Sequence, residues 1–410
     1  MKKILALLLA VVMVLGMVAC ASKTEAPAET TTTEPAAEAT TEETKTEEPA
    51  KEEETATEEQ PTEGVIKKVA LVTDVGTIDD ESFNQATWQG VKAYCEANGI
   101  EYTYYQPTED STDARCISID QAIKEGANVV VMPGYLFGAS IVREQEKYPE
   151  VYFIAVDVGA GDLTEDYATY YDPAKNVVCA TFAEEQAGYL AGYAVVMDGY
   201  TKLGFLGGMA VPAVVRYGYG FVQGADAAAT ELGAEVSLNY VYGNQFSGDA
   251  DITAYMDTWY ANGTEVVFAC GGGIYISAAE AAAKVGGKVI GVDVDQAAII
   301  DAYGEGMTVT SAMKGLAPTV KDILAELILK DDWAAYAGQI QTLGLVSGTD
   351  VEANYVQIPY ESTQWSDTFT KDDYAALVAA MFDGTVTVSN NTETEPTVKT
   401  ITVDYQGNIK

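Results

Sequence analysis

The sequence has no histidine at any of its 410 positions. Ser–His–Asp and Cys–His nucleophiles need an imidazole base, so those catalytic arrangements are excluded, as is every His-containing metal site. Positive charge is also scarce: 23 Lys and Arg stand against 62 Asp and Glu, for a net charge of −39. Nucleic acids and phosphate-rich ligands are held by Lys and Arg, and an acidic chain repels them. The five cysteines, Cys20, Cys95, Cys116, Cys179 and Cys270, include no CxxC pair and no metal-binding spacing. Neither GxGxxG nor GK[ST] occurs, which removes the two common phosphate-cradling loops. Past residue 18 no apolar run is long enough to cross a bilayer.

What is present begins with Lys2-Lys3 and an apolar run from Ile4 to Val18, short for a membrane span, closing on Met17-Val18-Ala19-Cys20. This is the layout of an export signal. "MVAC" resembles a bacterial lipobox, with Met17 where leucine is more usual. The resemblance implies cleavage before Cys20, lipid on its thiol and amino group, and a chain anchored to the outer face of the cell membrane. Residues 21–64 follow in low-complexity order, with 14 Glu, 3 Lys and no large apolar side chain. Such a segment cannot bury enough surface to offset its ordering entropy, and its charge extends it, so it is expected to be a disordered leash.

From residue 67 short apolar runs alternate with helix-length segments. "KVALVT" precedes 82–97, "EYTYY" precedes 113–125, "NVVVMP" precedes 138–147, and "VYFIAVD" leads through an irregular piece to "NVVCATF" and 184–198. A second series runs from "KLGFLGG" through 213–232, "EVSLNYVY", 249–261, "EVVFACGGG" and 274–284 to "KVIGVDVDQ". Strands alternating with helices predict an α/β chain of two doubly wound parallel-sheet lobes. "MTVTSAMKG" and the helix 316–330 read as a return to the first lobe. The expected layout is a signal at 1–20, a linker at 21–64, lobe I at 65–180 plus 311–345, and lobe II at 181–310 plus 346–410.

Open α/β sheets bind ligands beyond the carboxyl ends of their strands, which directs attention to the residues just after each strand. Asp74 ends the first strand, where a carboxylate either caps the turn or accepts from a base N–H or sugar hydroxyl. Phe83 opens a helix, placed either to pack inward or to stack on a flat heterocycle. The Asn84 amide can give and receive hydrogen bonds on one base edge, or cap the helix. Asp157, after "VYFIAV", is a further candidate polar contact. Asp293 closes "KVIGVD", where a carboxylate can take both hydroxyls of a ribose diol. Gly272, within Gly271–Gly273, lets backbone approach a ligand closely. Acidic surroundings and missing cations favour an uncharged ligand over a nucleotide. Arg216 reads as a surface or lobe-edge salt-bridge partner, and Asp79, Asp80, Glu81, Asp295 and Gln296 as turn or cap residues.

"TDVGTIDDESFNQATWQG", "GFLGGMAVPAVVRYGYGFVQGA", "ACGGG" and "VIGVDVDQ" together resemble the signature of the basic membrane protein family of purine nucleoside receptor lipoproteins, over roughly residues 67–345. The resemblance implies a type I periplasmic-binding-protein fold, two lobes joined by three crossings, and a substrate-binding role for an ABC permease and its ATPase. It also implies that Phe83 and Phe246 sandwich the base, that Asp293 holds the ribose, and that Lys314 bonds a sugar oxygen while pairing with a cleft carboxylate. A monomer, no cofactor, no catalytic residue, no metal and no nucleic-acid partner are expected. A sugar or signalling-molecule receptor of the same fold, and a nucleoside-cleaving hydrolase, stand as alternatives.

Overall fold

The computed structural model describes residues 66–409, which lie within one compact unit spanning 61–410. The expected signal at 1–20, the expected lipidation of Cys20 and the expected linker at 21–64 all lie outside the described residues. Among the described residues no helix is long and apolar enough to cross a membrane.

Two sheets organise the chain. The first contains β1 (Lys68–Val72), β2 (Glu101–Tyr105), β3 (Val129–Pro133), β4 (Tyr152–Val156), β5 (Val177–Phe182) and, from much later, β11 (Gln339–Leu343). Its spatial order is β11-β5-β4-β3-β1-β2, parallel throughout. The second contains β6 (Lys202–Gly207), β7 (Ser237–Tyr242), β8 (Val266–Cys270), β9 (Lys288–Asp293), β10 (Thr308–Lys314), β12 (Val356–Gln357) and β13 (Thr402–Asn408). Their order is β12-β10-β9-β8-β6-β7-β13, and β12 alone runs antiparallel to its neighbour. Every residue of β1, β3 and β8 is buried. That is why these strands read as unbroken apolar runs: helices cover both faces of a parallel sheet.

The helices α1 (Phe83–Asn98), α2 (Thr112–Lys124) and α3 (Gly138–Glu144) belong to the first series. The second series carries α4 (Glu184–Met197), α5 (Pro212–Leu232), α6 (Ala250–Ala261), α7 (Tyr275–Ala283) and α8 (Ala297–Ile300). After them come α9 (Leu316–Leu329), which returns to pack against α1, and α10 (Lys371–Phe382). α4 and α5 pack unusually closely. A Cβ on Gly188 would come within 2.1 Å of the Tyr217 carbonyl oxygen, and one on Gly192 within 2.2 Å of that of Phe221. This approach brings the first turns of the two helices, with Glu184 and Arg216, side by side.

The return expected at residue 311 is corrected. Residues 308–314 pair with β9 in the second sheet, and the chain crosses only after Lys314. Lys314 therefore projects from the second lobe. The four cysteines among the described residues, Cys95, Cys116, Cys179 and Cys270, are buried and unpaired.

Candidate functional site

In each sheet the strand order reverses between two neighbours, β1 and β3 in the first and β6 and β8 in the second. The crevice beyond such a reversal is where open α/β sheets take ligands. Asp74 and Gly134 follow β1 and β3, and Gly208 and Gly271 follow β6 and β8, so the two crevices face one cleft. Its volume is about 790 Å³, and Asp74, Phe83, Asn84, Asp157, Phe246, Gly272, Asp293 and Lys314 all line it. A second cavity of about 650 Å³ lies at the amino-terminal ends of β6 and β7 and holds none of these residues.

Three cleft residues sit at strand ends in the left-handed region although none is glycine: Asp157 (φ 59°), Asn244 (φ 60°) and Asp293 (φ 65°). Asp and Asn enter this region more readily than other non-glycine residues, and such positions recur at ligand clamps and active sites. Asp157 and Asp293 meet at Lys314. The ammonium is bound to the Asp157 carboxylate, lies 3.4 Å from Glu184 Oε1 and lies 3.7 Å from Asp293 Oδ1. It also stands 4.8 Å from the centre of the Phe83 ring, close enough for a cation–π attraction. Burial works against the Lys314 charge, yet Asp157, Asp293 and Glu184 together lift its pKa above the ordinary lysine value. Burial pushes Asp157 up to about 7 despite the lysine, and raises Asp293 as well.

Glu184 is fully buried and is shared between Lys314 and Arg216, whose Nε lies 2.6 Å from Glu184 Oε2. Arg216 is thus the salt-bridge partner expected, but it lines the cleft and pairs with a fully buried acid rather than lying on the outer surface. The packing of α4 on α5 creates this pair, and no local sequence pattern announces it.

Asn84 also departs from expectation. Its Nδ2 donates to Asp74 Oδ1 and to Asp80 Oδ2, each at 3.1 Å. Carboxylates only accept, so the amide hydrogens are committed and Asn84 braces two acids; it does not offer its donor to a base edge. Asp74 Oδ1 is further held by Gly76 N at 2.8 Å. Its Oδ2 rests against Gly134, where a Cβ would approach to 2.7 Å. Burial raises the Asp74 pKa.

The Phe246 ring lies on bare backbone. A Cβ at Gly208 would come within 2.5 Å of its Cδ1, and one at Gly271 within 2.9 Å. Gly271 has φ 145° and Gly272 φ 51°, and a Cβ at Gly272 would meet the Phe246 carbonyl oxygen at 2.8 Å. The glycine run therefore seats Phe246, a use that the sequence reading did not assign to Gly272. Both Phe83 and Phe246 are only partly buried, leaving ring surface toward the cleft.

Two parallel-sheet lobes with an aromatic-bearing cleft between them form a type I periplasmic-binding-protein fold, the fold of a class of two-lobed solute-binding proteins. Solved structures of that class share the fold. An ABC transporter solute-binding protein from Conexibacter woesei DSM 14684 matches with TM-score 0.60 at 21% identity, covering 79% of this chain and 99% of that one. One from Aeropyrum pernix K1 matches with TM-score 0.58 at 20% identity, covering 80% and 88%. The chain belongs to the Bmp family of PnrA-like ABC transporter substrate-binding proteins, whose family model matches residues 67–372. The ABC transporter nucleoside-binding protein BmpA of Lactococcus lactis subsp. cremoris is 29% identical over 283 residues, 64% of this chain and 76% of that protein. Basic membrane protein A1 of Borrelia garinii subsp. bavariensis is 27% identical over 306 residues, 73% of this chain and 83% of that protein.

Proposed function

We propose that the chain is an extracytoplasmic receptor, lipid-anchored through Cys20, that binds a nucleoside between its lobes and delivers it to an ABC permease with its ATPase. The observation that carries this reading is the shared cleft. Two partly exposed phenylalanine rings, one from each lobe, stand in it beside the buried Asp293–Lys314–Asp157 group. A planar base stacks on Phe83 and Phe246, contributing about 1–3 kcal/mol per ring–base contact. Asp293 accepts from the ribose diol, Lys314 supports it, and Asp74 accepts from an N–H of the base. A purine, with its larger face and its N–H groups, suits this arrangement.

The ligand carries no phosphate in this reading. Lys314 is already matched by Asp157, Glu184 and Asp293, and Arg216 by Glu184, so a phosphate would meet unbalanced acid. The Lactococcus relative, described as nucleoside-binding, supports the same ligand class. Binding works by lobe closure around the ligand and requires no covalent chemistry. The receptor acts as a monomer.

A thermal-shift panel of nucleosides, free bases, nucleotides and pentoses tests the proposal. Purine nucleosides are expected to raise Tm, with AMP and ribose inert and the nucleoside shift lost in Phe83→Ala. A shift with ribose alone would identify a sugar receptor, and release of free base from inosine would identify a hydrolase.

A further inference from the structure

Ser82 occupies the N-cap of α1, where a serine hydroxyl ordinarily accepts from a backbone N–H of the first turn. Here it makes no such bond. Asp80 does the capping, with its carboxylate accepting from the backbone N–H of Ser82 (3.0 Å), Asn84 (2.9 Å) and Gln85 (3.0 Å). The released hydroxyl instead donates to Asp293 Oδ2, in the other lobe, at 2.7 Å. One residue earlier, the Glu81 carbonyl accepts from Gln296 Nε2 of the second lobe at 3.0 Å. Gln296 is itself immobilised, since its Oε1 accepts from Val292 N at 2.9 Å and its backbone N–H donates to Ser311 Oγ at 3.1 Å.

Ser82 and Gln296 are each only 1% exposed. The contact also has strained backbone on both sides, with Glu81 at φ 54° and Asp293 at φ 65°. Residues held in that region persist where their surroundings over-determine them, and they cluster at clamps and switches. Neither bond is needed to form its own lobe: Asp80 already caps α1, and Gln296 already braces the end of β9 through its other atoms.

We propose that Ser82 and Gln296 are positioning residues that latch the first lobe onto the second and, through Ser82, fix the Asp293 carboxylate that faces the cleft. Ser82 holds Oδ2, while Oδ1 lies toward Lys314 (3.7 Å) and Tyr217 OH (3.5 Å), so the carboxylate cannot swing away when the lobes meet. The two bonds form when the lobes are together, so their main effect is on escape of the ligand, where most affinity differences between related complexes lie. The ligand-binding part of this inference rests on the nucleoside reading; the lobe-to-lobe latch does not.

The test uses the full-length chain with Ser82→Ala, Ser82→Thr and Gln296→Glu. The glutamate keeps an oxygen for Val292 N but turns a second one toward the Glu81 carbonyl. Spin labels at Lys124→Cys and Ala302→Cys report the interlobe distance, and stopped-flow titration with inosine reports association and dissociation. Ser82→Ala and Gln296→Glu are expected to lengthen or broaden the interlobe distance. They are also expected to speed dissociation on the order of tenfold, the effect of losing one charge-assisted or buried bond, with association changed less than twofold. Ser82→Thr, which keeps the hydroxyl, restores both readouts. Unchanged distances overturn the latch whether or not inosine binds. Tighter binding by Ser82→Ala overturns it too, because Ser82 would then be competing with the ligand for Asp293. If inosine fails to bind any form while the distances shift as expected, the latch stands and the nucleoside reading falls.

Discussion

Lys314→Met keeps most of the buried stem of the side chain and deletes its charge. The Lys314 side chain is 3% exposed and its ammonium faces Asp157, Glu184 and Asp293, with Arg216 the one other cation paired into this group among the described residues. Removing one partner of a buried ion group strands the others, a loss of about 3–5 kcal/mol. The pH dependence follows from Asp157. Burial already sets its folded pKa near 7, above the ordinary 3.8, so below pH 7 the carboxyl is protonated in both proteins and adds nothing to their difference. Without the ammonium its pKa climbs further. Above pH 7 the native variant then keeps a proton that the unfolded chain has released, and its stability falls by about 1.4 kcal/mol per pH unit. The parent gains no such slope from this group. Urea denaturation between pH 5 and 9 should therefore show a deficit near 3–5 kcal/mol that widens above pH 7. A deficit below about 1 kcal/mol, flat across that range, would refute the description of Lys314 as the charge that makes the acidic cluster tolerable.

Three other outcomes are expected. Phe83→Ala and Phe246→Ala should each weaken nucleoside binding by about 1–3 kcal/mol in calorimetry, with little change for either ring if the base sits elsewhere. Gly271→Ala should act like a milder Phe246 variant: its Cβ would fall 2.9 Å from the ring, at a backbone φ of 145° that alanine avoids. Stability should drop by about 1–3 kcal/mol and affinity should fall with it, while the Phe83 surroundings stay unchanged by NMR. Asp226→Ala should loosen the C-terminal segment, because that carboxylate accepts the N–H groups of Lys399, Thr400 and Ile401 within 3.1 Å. Hydrogen exchange of β13 is expected to rise about tenfold or more with nucleoside binding unaltered.

The strand–helix alternation was legible because fully covered parallel strands are short apolar blocks, as in "VALV" and "VVVMP", and because turns between them are polar. The place of β10 was not legible. A strand declares its burial but not its neighbour, and only pairing with β9 shows that 308–314 stays in the second lobe. β11 and the two-residue β12 were missed for a related reason, since edge and near-edge pieces carry weak patterns. At the site, strand-end position was enough to find Asp74, Asp157 and Asp293. It was not enough to see that Asn84 spends its amide on two carboxylates, or that Glu184 and Arg216 converge through glycine-mediated helix packing. Gln296 read as a turn residue, yet it spans the lobes. For Arg216 and Gln296 the deciding partner lies far away in the chain, where spacing gives no signal; for Asn84 the partners are near, but the turn that aims them is not written in the spacing.

The most direct measurement is a crystal structure of the chain with inosine. The base should lie between the Phe83 and Phe246 rings at stacking distance, with the ribose diol on Asp293 and no ligand atom in the cavity beside Trp259. Inosine bound with either ring turned away from the base, or with its ribose remote from Asp293, would contradict the account.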